Sequence, residues 1–189
     1  MQATIDLLLD RGYRGLSIEA IAERVGVSKV TIYRWWPHKA AVAMDAFLAF
    51  NEPKVRFPDT GSAREDFRRQ MPSHGRFFAG PGGQLLRVLI AEAQHDRQLA
   101  EDVRTRFMAK RRADGRQALQ RGIDRGELRH DLEPEVVIDA LYAPAYLRLL
   151  IGHEPIDEAL YDALIGYVFD GIAVRPPDGA QHGADDSAV

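Results

Sequence analysis

The chain has no cysteine among its 189 residues. That excludes a disulfide framework and any metal site built on thiolates. No apolar stretch approaches the ~20 residues that a membrane-spanning helix needs, and no segment reads as a signal peptide. No run of useful length alternates apolar and polar residues, so strands are not expected. Neither a glycine-rich phosphate loop nor a nucleophile elbow is present. Charge is nearly balanced at a formal −3, so bulk electrostatics suggest no polyanionic partner. What remains is an apolar fraction of 46%, ample for a core. The length suits one ordinary domain plus a small one. The expectation is an all-α cytoplasmic protein of about nine helices, with no cofactor and no metal.

The most informative segment runs from Ser17 to Lys39. Ser17 suits an N-cap, with Glu19 in the first turn where negative charge is favoured. Ile18, Ile21, Ala22 and Val25 fall on one helical face. Gly26 suits the positive φ that ends a helix sharply, and Val27 is expected to plug back into the core. Ser28 then caps a second helix, which Pro37 ends. This helix carries Lys29, Thr31, Tyr33 and Arg34 outward, with Lys39 just beyond. From Arg24 to Met44 there are four cations and no carboxylate. Two short helices around a glycine turn, with a locally basic face, form a helix-turn-helix. Its second helix reads the major groove of duplex DNA.

The first fifty residues resemble the TetR family of transcriptional regulators. The likeness rests on Arg11 to Gly15, Ser17, Ile21-Ala22, Gly26-Val27-Ser28, Thr31-Ile32-Tyr33 and Pro37-His38-Lys39. It implies that Ser17, Ser28 and Lys39 contact phosphates. It implies also that Lys29, Val30, Thr31, Tyr33, Arg34 and Trp35 face the groove or its walls, with His38 beside them. Val30 stands where the family often has a small residue, so an apolar contact such as a thymine methyl is expected there. Trp35 and Trp36 replace the common histidine-phenylalanine pair, and Trp36 is expected in the core. Relative to the family, a further turn or two of helix is expected ahead of Ala3, because Met1-Gln2 supplies neither a cap nor a first turn.

Three regions are expected: a DNA-binding domain over 1–50 with a connecting fourth helix, a helical effector-binding and dimerisation domain over 51–173, and a disordered tail over 174–189. Residues 51–61 read as a loop. Ser62-Ala-Arg-Glu65 reads as a capping box opening a helix that stops before Pro72. Gly80 to Gly83 reads as a break, followed by a buried helix from Gln84 to His95. Arg97 to Arg125 reads as a long helix, bent or broken at Gly115. Two further helices cover 136–152 and 156–172, and the tail is rich in Pro, Gly, Asp and Ser.

The last two helices are apolar around most of their surface. Leu160, Leu164, Val168 and Ile172 form one stripe, with Tyr161, Ile165 and Phe169 beside it; Leu141 and Leu149 lie on the preceding helix. Such breadth fits either a layered core within one chain or a four-helix bundle between two copies. The resemblance implies the second, a homodimer on a palindromic operator. It further implies a site for an unidentified small-molecule effector, whose binding releases a repressor from DNA. Candidate lining residues are Phe67, Phe77, Phe78, Leu86, Ile90, Phe107, Met108, Tyr142 and Tyr146. Tyr142 and Tyr146 are one turn apart, so both hydroxyls can serve one site.

Two rival readings stand beside this one. One is a constitutive DNA-binding regulator with no ligand switch. The other is a metal-dependent hydrolase using His95-Asp96, His130-Asp131 and His153-Glu154. Against the hydrolase, none of these histidines has a second histidine at i+4. Lys110-Arg111-Arg112 with Arg116 reads as a solvated helix face.

Overall fold

The computed structural model describes residues 1–51 and 57–174. Among these the protein is all-helical, as expected. The helices are α1 (Gln2–Arg11), α2 (Ile18–Val25), α3 (Lys29–Tyr33), α4 (Lys39–Phe50), α5 (Ala63–Ala79), α6 (Pro81–Ala93), α7 (Arg97–Asp102), α8 (Ala109–Asp124), α9 (Pro134–Ile151) and α10 (Glu158–Ile172). A π-helical stretch, Val103–Met108, fuses α7 and α8 into one rod. The one extended contact among the described residues is an isolated antiparallel bridge between Leu128 and Ala173. The expected tail lies outside the described residues except for Val174, whose N–H donates to the Glu127 carbonyl.

The centre of the molecule is α4. Ala40, Val42, Ala43, Met44, Ala46 and Phe47 are all buried, which covers most of its circumference. A helix apolar on so many sides must be wrapped, and α1, α6 and α7 do so. In the body α5 packs between α10 and α8, and α9 packs on both α8 and α10.

Several local expectations give way to packing. Pro72 does not stop α5, which continues to Ala79. Met71, His74, Gly75 and Phe78 are buried on either side of the proline, and that burial outweighs one missing hydrogen bond. The capping box is only half made. Ser62 Oγ accepts from the Glu65 N–H at 3.4 Å, but the Glu65 carboxylate turns to Arg68 and Arg69 at 2.6 Å each. Glu127 instead reaches across and accepts from the Ala63 and Arg64 N–H groups and the Ser62 hydroxyl. A carboxylate at a helix N-terminus is favoured by the dipole and by the orphan donors there.

The break at 80–83 is confined to Gly80, while Gly82 and Gly83 already belong to α6. A Cβ at Gly82 would lie 1.9 Å from the Phe77 ring, and one at Gly83 would lie 2.1 Å from the Phe78 carbonyl oxygen. The glycines permit this tight corner. The long rod is likewise intact at Gly115, which is buried against Ile138 and Phe67. Its irregularity is the π turn at 103–108.

Candidate nucleic-acid interface and internal cavity

The helix-turn-helix is built by local chemistry. Ser17 Oγ accepts from the Ala20 N–H at 3.0 Å, and Ser28 Oγ accepts from the Thr31 N–H at 3.3 Å. Gly26 sits at φ 71°, the left-handed conformation that turns the chain between α2 and α3. Ile18, Ile21, Ala22 and Ile32 are buried beneath the pair. Val25 and Val27 are not: both are exposed, because the turn lies at the edge of the molecule. Helix α3 ends at Tyr33, short of Pro37, although the Trp36 N–H still bonds to the Ile32 carbonyl.

The outward side of α3 carries Lys29, Val30, Thr31, Tyr33 and Arg34, all exposed, and Trp35 follows at 70% exposure. Val30 is 72% exposed. None of these is packed into the core, and the face holds no carboxylate. Ser17 Oγ spends its oxygen as a cap acceptor and keeps its hydroxyl proton for an outward partner, while Ser28 Oγ also shares a 3.1 Å hydrogen bond with Thr31 Oγ1 in which either hydroxyl can donate. His38 caps α4, its Nδ1 accepting from the Ala41 N–H at 3.2 Å. That fixes the ring proton on Nε2 when the ring is neutral. Lys39 is partly buried. Its Nζ lies 4.3 Å from the Tyr13 ring centroid and donates to the Tyr13 carbonyl at 3.3 Å.

Specific contacts fasten this unit to the body. The Trp36 indole N–H donates to Asp45 Oδ2 on α4 at 2.7 Å, and Arg106 of the π turn pairs with Oδ1 of the same carboxylate. The Tyr13 hydroxyl donates to Asp96 at 3.0 Å, while the other Asp96 oxygen caps α7. Burial, with Asp96 close by, pushes the Tyr13 phenol well above its ordinary pKa and keeps it a donor.

A cavity of about 490 Å³ opens where α4, α5, α8, α9 and the π turn meet. Of the nine residues expected to line it, Phe107, Met108, Tyr142 and Tyr146 do. The other five do not. Phe67, Phe78 and Leu86 are buried core, and Phe77 and Ile90 pack partly buried against it. Aromatic composition alone does not distinguish a cavity wall from a core. The Tyr142 hydroxyl donates to Gln70 at 2.7 Å, and the Tyr146 hydroxyl meets Met108 Sδ at 3.4 Å. Burial pushes the Tyr146 phenol up to about 12. Buried His74 shares a 3.0 Å hydrogen bond with the Tyr161 hydroxyl; desolvation, then the Arg111 charge, drive its pKa down to about 3, so it is neutral.

Sequence reasoning misses the cavity's charged groups. Arg111 is not a solvated residue: its guanidinium stacks over Phe107, 4.3 Å from the ring centroid, and faces Phe77 at 5.4 Å. The one signal in the sequence is Phe107, four residues earlier on the same face. Arg112 ion-pairs with Glu135 and Asp139, and Arg116 with Glu135. Asn51, at the end of α4, also lines the wall.

The stripes on α10 divide differently from the expectation. Tyr161, Ile165 and Phe169 are buried inside the chain, as are Leu141 and Leu149 of α9. These five therefore cannot form an outward contact. Leu160, Leu164 and Val168 are partly buried. The outward surface belongs to Ala140, Ala143, Leu147, Leu150 and Ile151 on α9 and to Ala159, Ala163 and Tyr167 on α10. A helix apolar on two faces gives no sequence cue as to which face turns inward.

The His-Asp pairs are occupied with structural work. Asp96 caps α7, and Asp131 holds Arg129 through two hydrogen bonds. Among the described residues no three His, Asp or Glu side chains gather as a metal set. Nor is any helix among them long and apolar enough to cross a membrane.

Comparison with known proteins agrees with this geometry. Residues 1–44 match the family model for bacterial regulatory proteins, tetR family, and residues 57–168 match the tetracyclin repressor-like C-terminal domain. The HTH-type transcriptional regulator YdeS of Bacillus subtilis (strain 168) is 40% identical over 172 residues, covering 91% of this chain and 87% of that protein. The DNA-binding transcriptional repressor TetR of Mycobacteroides abscessus is 30% identical over 183 residues, covering 93% and 92%. The crystal structure of the TetR family transcription regulator SCO0332 is 38% identical, with a TM-score of 0.75 and coverage of 91% and 95%.

Proposed function

The chain belongs to the TetR family of bacterial transcriptional regulators, and on that premise we propose that it is a homodimeric repressor released from a palindromic operator by a small molecule bound in the cavity. Residues 1–50 act as the DNA reader and 51–173 as the effector and dimer domain. As a regulator working on DNA it acts in the cytoplasm.

The observation that carries this reading is the double membership of α4. Its middle holds the helix-turn-helix through Asp45 and Trp36, and Leu48, Ala49 and Asn51 at its C-terminal end line the cavity. A ligand that moves that wall acts on the element supporting α3. Coupling of ~1–3 kcal/mol would change DNA affinity 5- to 150-fold.

On DNA, Arg34, Thr31 and Val30 read base edges, with Lys29, Tyr33 and Trp35 at the groove walls. Ser17, Ser28, His38 and Lys39 serve phosphates; Lys39 keeps donors to spare beyond the Tyr13 carbonyl. The dimer forms through the outward faces of α9 and α10. Ala140, Ala143, Ala159 and Ala163 are small enough for close helix approach, and Leu147, Ile151 and Tyr167 supply apolar area.

Selection of bound sequences from a random duplex library at fixed salt tests the reading. A two-fold palindrome is the expected result. Absence of any enriched sequence would overturn it.

A further inference from the structure

We infer that the cavity takes an amphipathic organic anion, with Arg111 supplying the countercharge and the Asn51 amide a further donor to its oxyanion head. This rests on the reading of the cavity as the effector site.

The polar groups of the wall are unevenly satisfied. Arg106 and Arg112 both have carboxylate partners. Arg111 has no ion pair and no hydrogen bond among the described residues, although Arg112 beside it is paired. Its face is covered by Phe107, which leaves the N–H edge as the available side. Asp114 also lines the cavity but is exposed at its rim and makes no ion pair with Arg111. Asn51 Nδ2 is buried and has no acceptor among the described residues. The Asn51 donor lacks both solvent and an acceptor, which is costly, and a ligand oxygen removes the cost; the Arg111 edge keeps solvent contact and offers an unpaired charge to the same oxygen.

Lys110, an exposed cation of the same wall, can add attraction at the mouth, whereas the buried polar groups do not compete for the head group. Tyr142 and Tyr146 already donate to Gln70 and Met108. His74 is neutral and engaged with Tyr161. The rest of the wall includes Leu48, Phe57 and Ile138, which suit an apolar body. A volume of about 490 Å³ lies in the range usual for small-molecule sites. A planar guanidinium fork binds carboxylate, sulfonate or phosphate oxygens in pairs, which favours an oxyanion over a halide or a neutral ligand.

The test uses two fluorescent probes with the same aromatic body, 1-anilinonaphthalene-8-sulfonate and its uncharged counterpart N-phenyl-1-naphthylamine. Each is titrated into the full chain, wild type and variants. The readout is the ratio of their affinities. Arg111→Gln is expected to lower the ratio, anion over neutral, by about tenfold or more, with the neutral probe changed less than about twofold. Arg111→Lys should retain part of the preference. If Arg111→Gln does not fold by circular dichroism, Asn51→Asp is read instead, with the same expected loss. An unchanged ratio in the variant that folds overturns the anion assignment and leaves the cavity as a ligand site. Saturable binding of neither probe overturns the effector-site reading and this inference together.

Discussion

Trp36 and Asp45 are joined by a 2.7 Å hydrogen bond in which the indole Nε1–H donates to Oδ2, and Arg106 takes the other oxygen of that carboxylate. Three segments meet at this one carboxylate: the chain leaving the recognition helix, the middle of α4, and the π turn that forms a cavity wall. The contact is half-buried, so its removal leaves donors poorly solvated rather than simply returned to water.

Asp45→Ala is therefore expected to lower stability by ~1–3 kcal/mol, since it strands the indole N–H and leaves the part-exposed Arg106 with Asp102 alone, at 4.0 Å. Urea denaturation measures this. No change would mean that the three segments are held together without the carboxylate.

Arg34→Ala and Lys39→Ala should behave differently on DNA. Loss of Arg34 should relax base preference at one position of each half-site, by ~1–3 kcal/mol, if the side chain reads guanine. Loss of Lys39 should weaken all duplexes alike and lower the salt slope by about one contact. It should also lower the melting temperature, because Lys39 is anchored on Tyr13. Binding to matched and mismatched duplexes across a salt series separates the two, and identical behaviour would refute the division of roles.

His74 gives a pH dependence with a definite sign. Its folded pKa is about 3, below the ~6.5 of an unfolded chain. Below pH ~6.5 the unfolded state takes up a proton that the folded state refuses, so stability falls with acidification until pH nears 3. The contribution between pH 7.5 and 4.5 is about 2–3 kcal/mol. Chemical denaturation at the two pH values should show that much less loss for His74→Gln than for wild type. Equal losses would place the histidine's titration elsewhere.

Leu147→Glu and Leu141→Ala distinguish the outward face of α9 from its inward face. Leu147 is 55% exposed, and its substitution should leave the fold intact while shifting sedimentation from dimer to monomer. Leu141 is fully buried, so its truncation should cost ~2–5 kcal/mol of stability. A Leu147→Glu dimer unchanged in sedimentation would put the interface on another surface.

Gly83→Ala should be severely destabilising, because the added Cβ meets the Phe78 backbone rather than a movable side chain. Gly166→Ala meets open space in the single chain and gains helix propensity of up to ~1 kcal/mol. Thermal melts of the two variants should diverge in opposite directions.

Features set by neighbours in sequence are legible from the residues themselves. The caps at Ser17 and Ser28, the left-handed turn at Gly26 and the exposed face of α3 all follow from local chemistry. Features set by distant neighbours are not legible in this way. Glu127 caps α5 from more than sixty residues away in the chain, whereas the sequence around Ser62 shows a capping box of which only the serine half is made. Helix α5 runs through Pro72 because of what it buries. Arg111 is hidden in a run of three basic residues. A regular helix already sends adjacent side chains about 100° apart, and the π turn at 103–108 adds a register shift that no helical wheel anticipates. Both stripes of α10 pack toward the chain, the Tyr161 stripe more deeply than the Leu160 stripe, and tertiary packing leaves Ala159, Ala163 and Tyr167 as the outward face.

The most direct measurement is the number of chains on the selected operator. Sedimentation of the protein on its enriched duplex should show two chains bound, with half-site centres one helical turn (~34–36 Å) or a multiple apart, and binding should collapse when one half-site is scrambled. One chain per duplex, or affinity untouched by the loss of a half-site, would contradict a two-fold reader built from paired α3 helices.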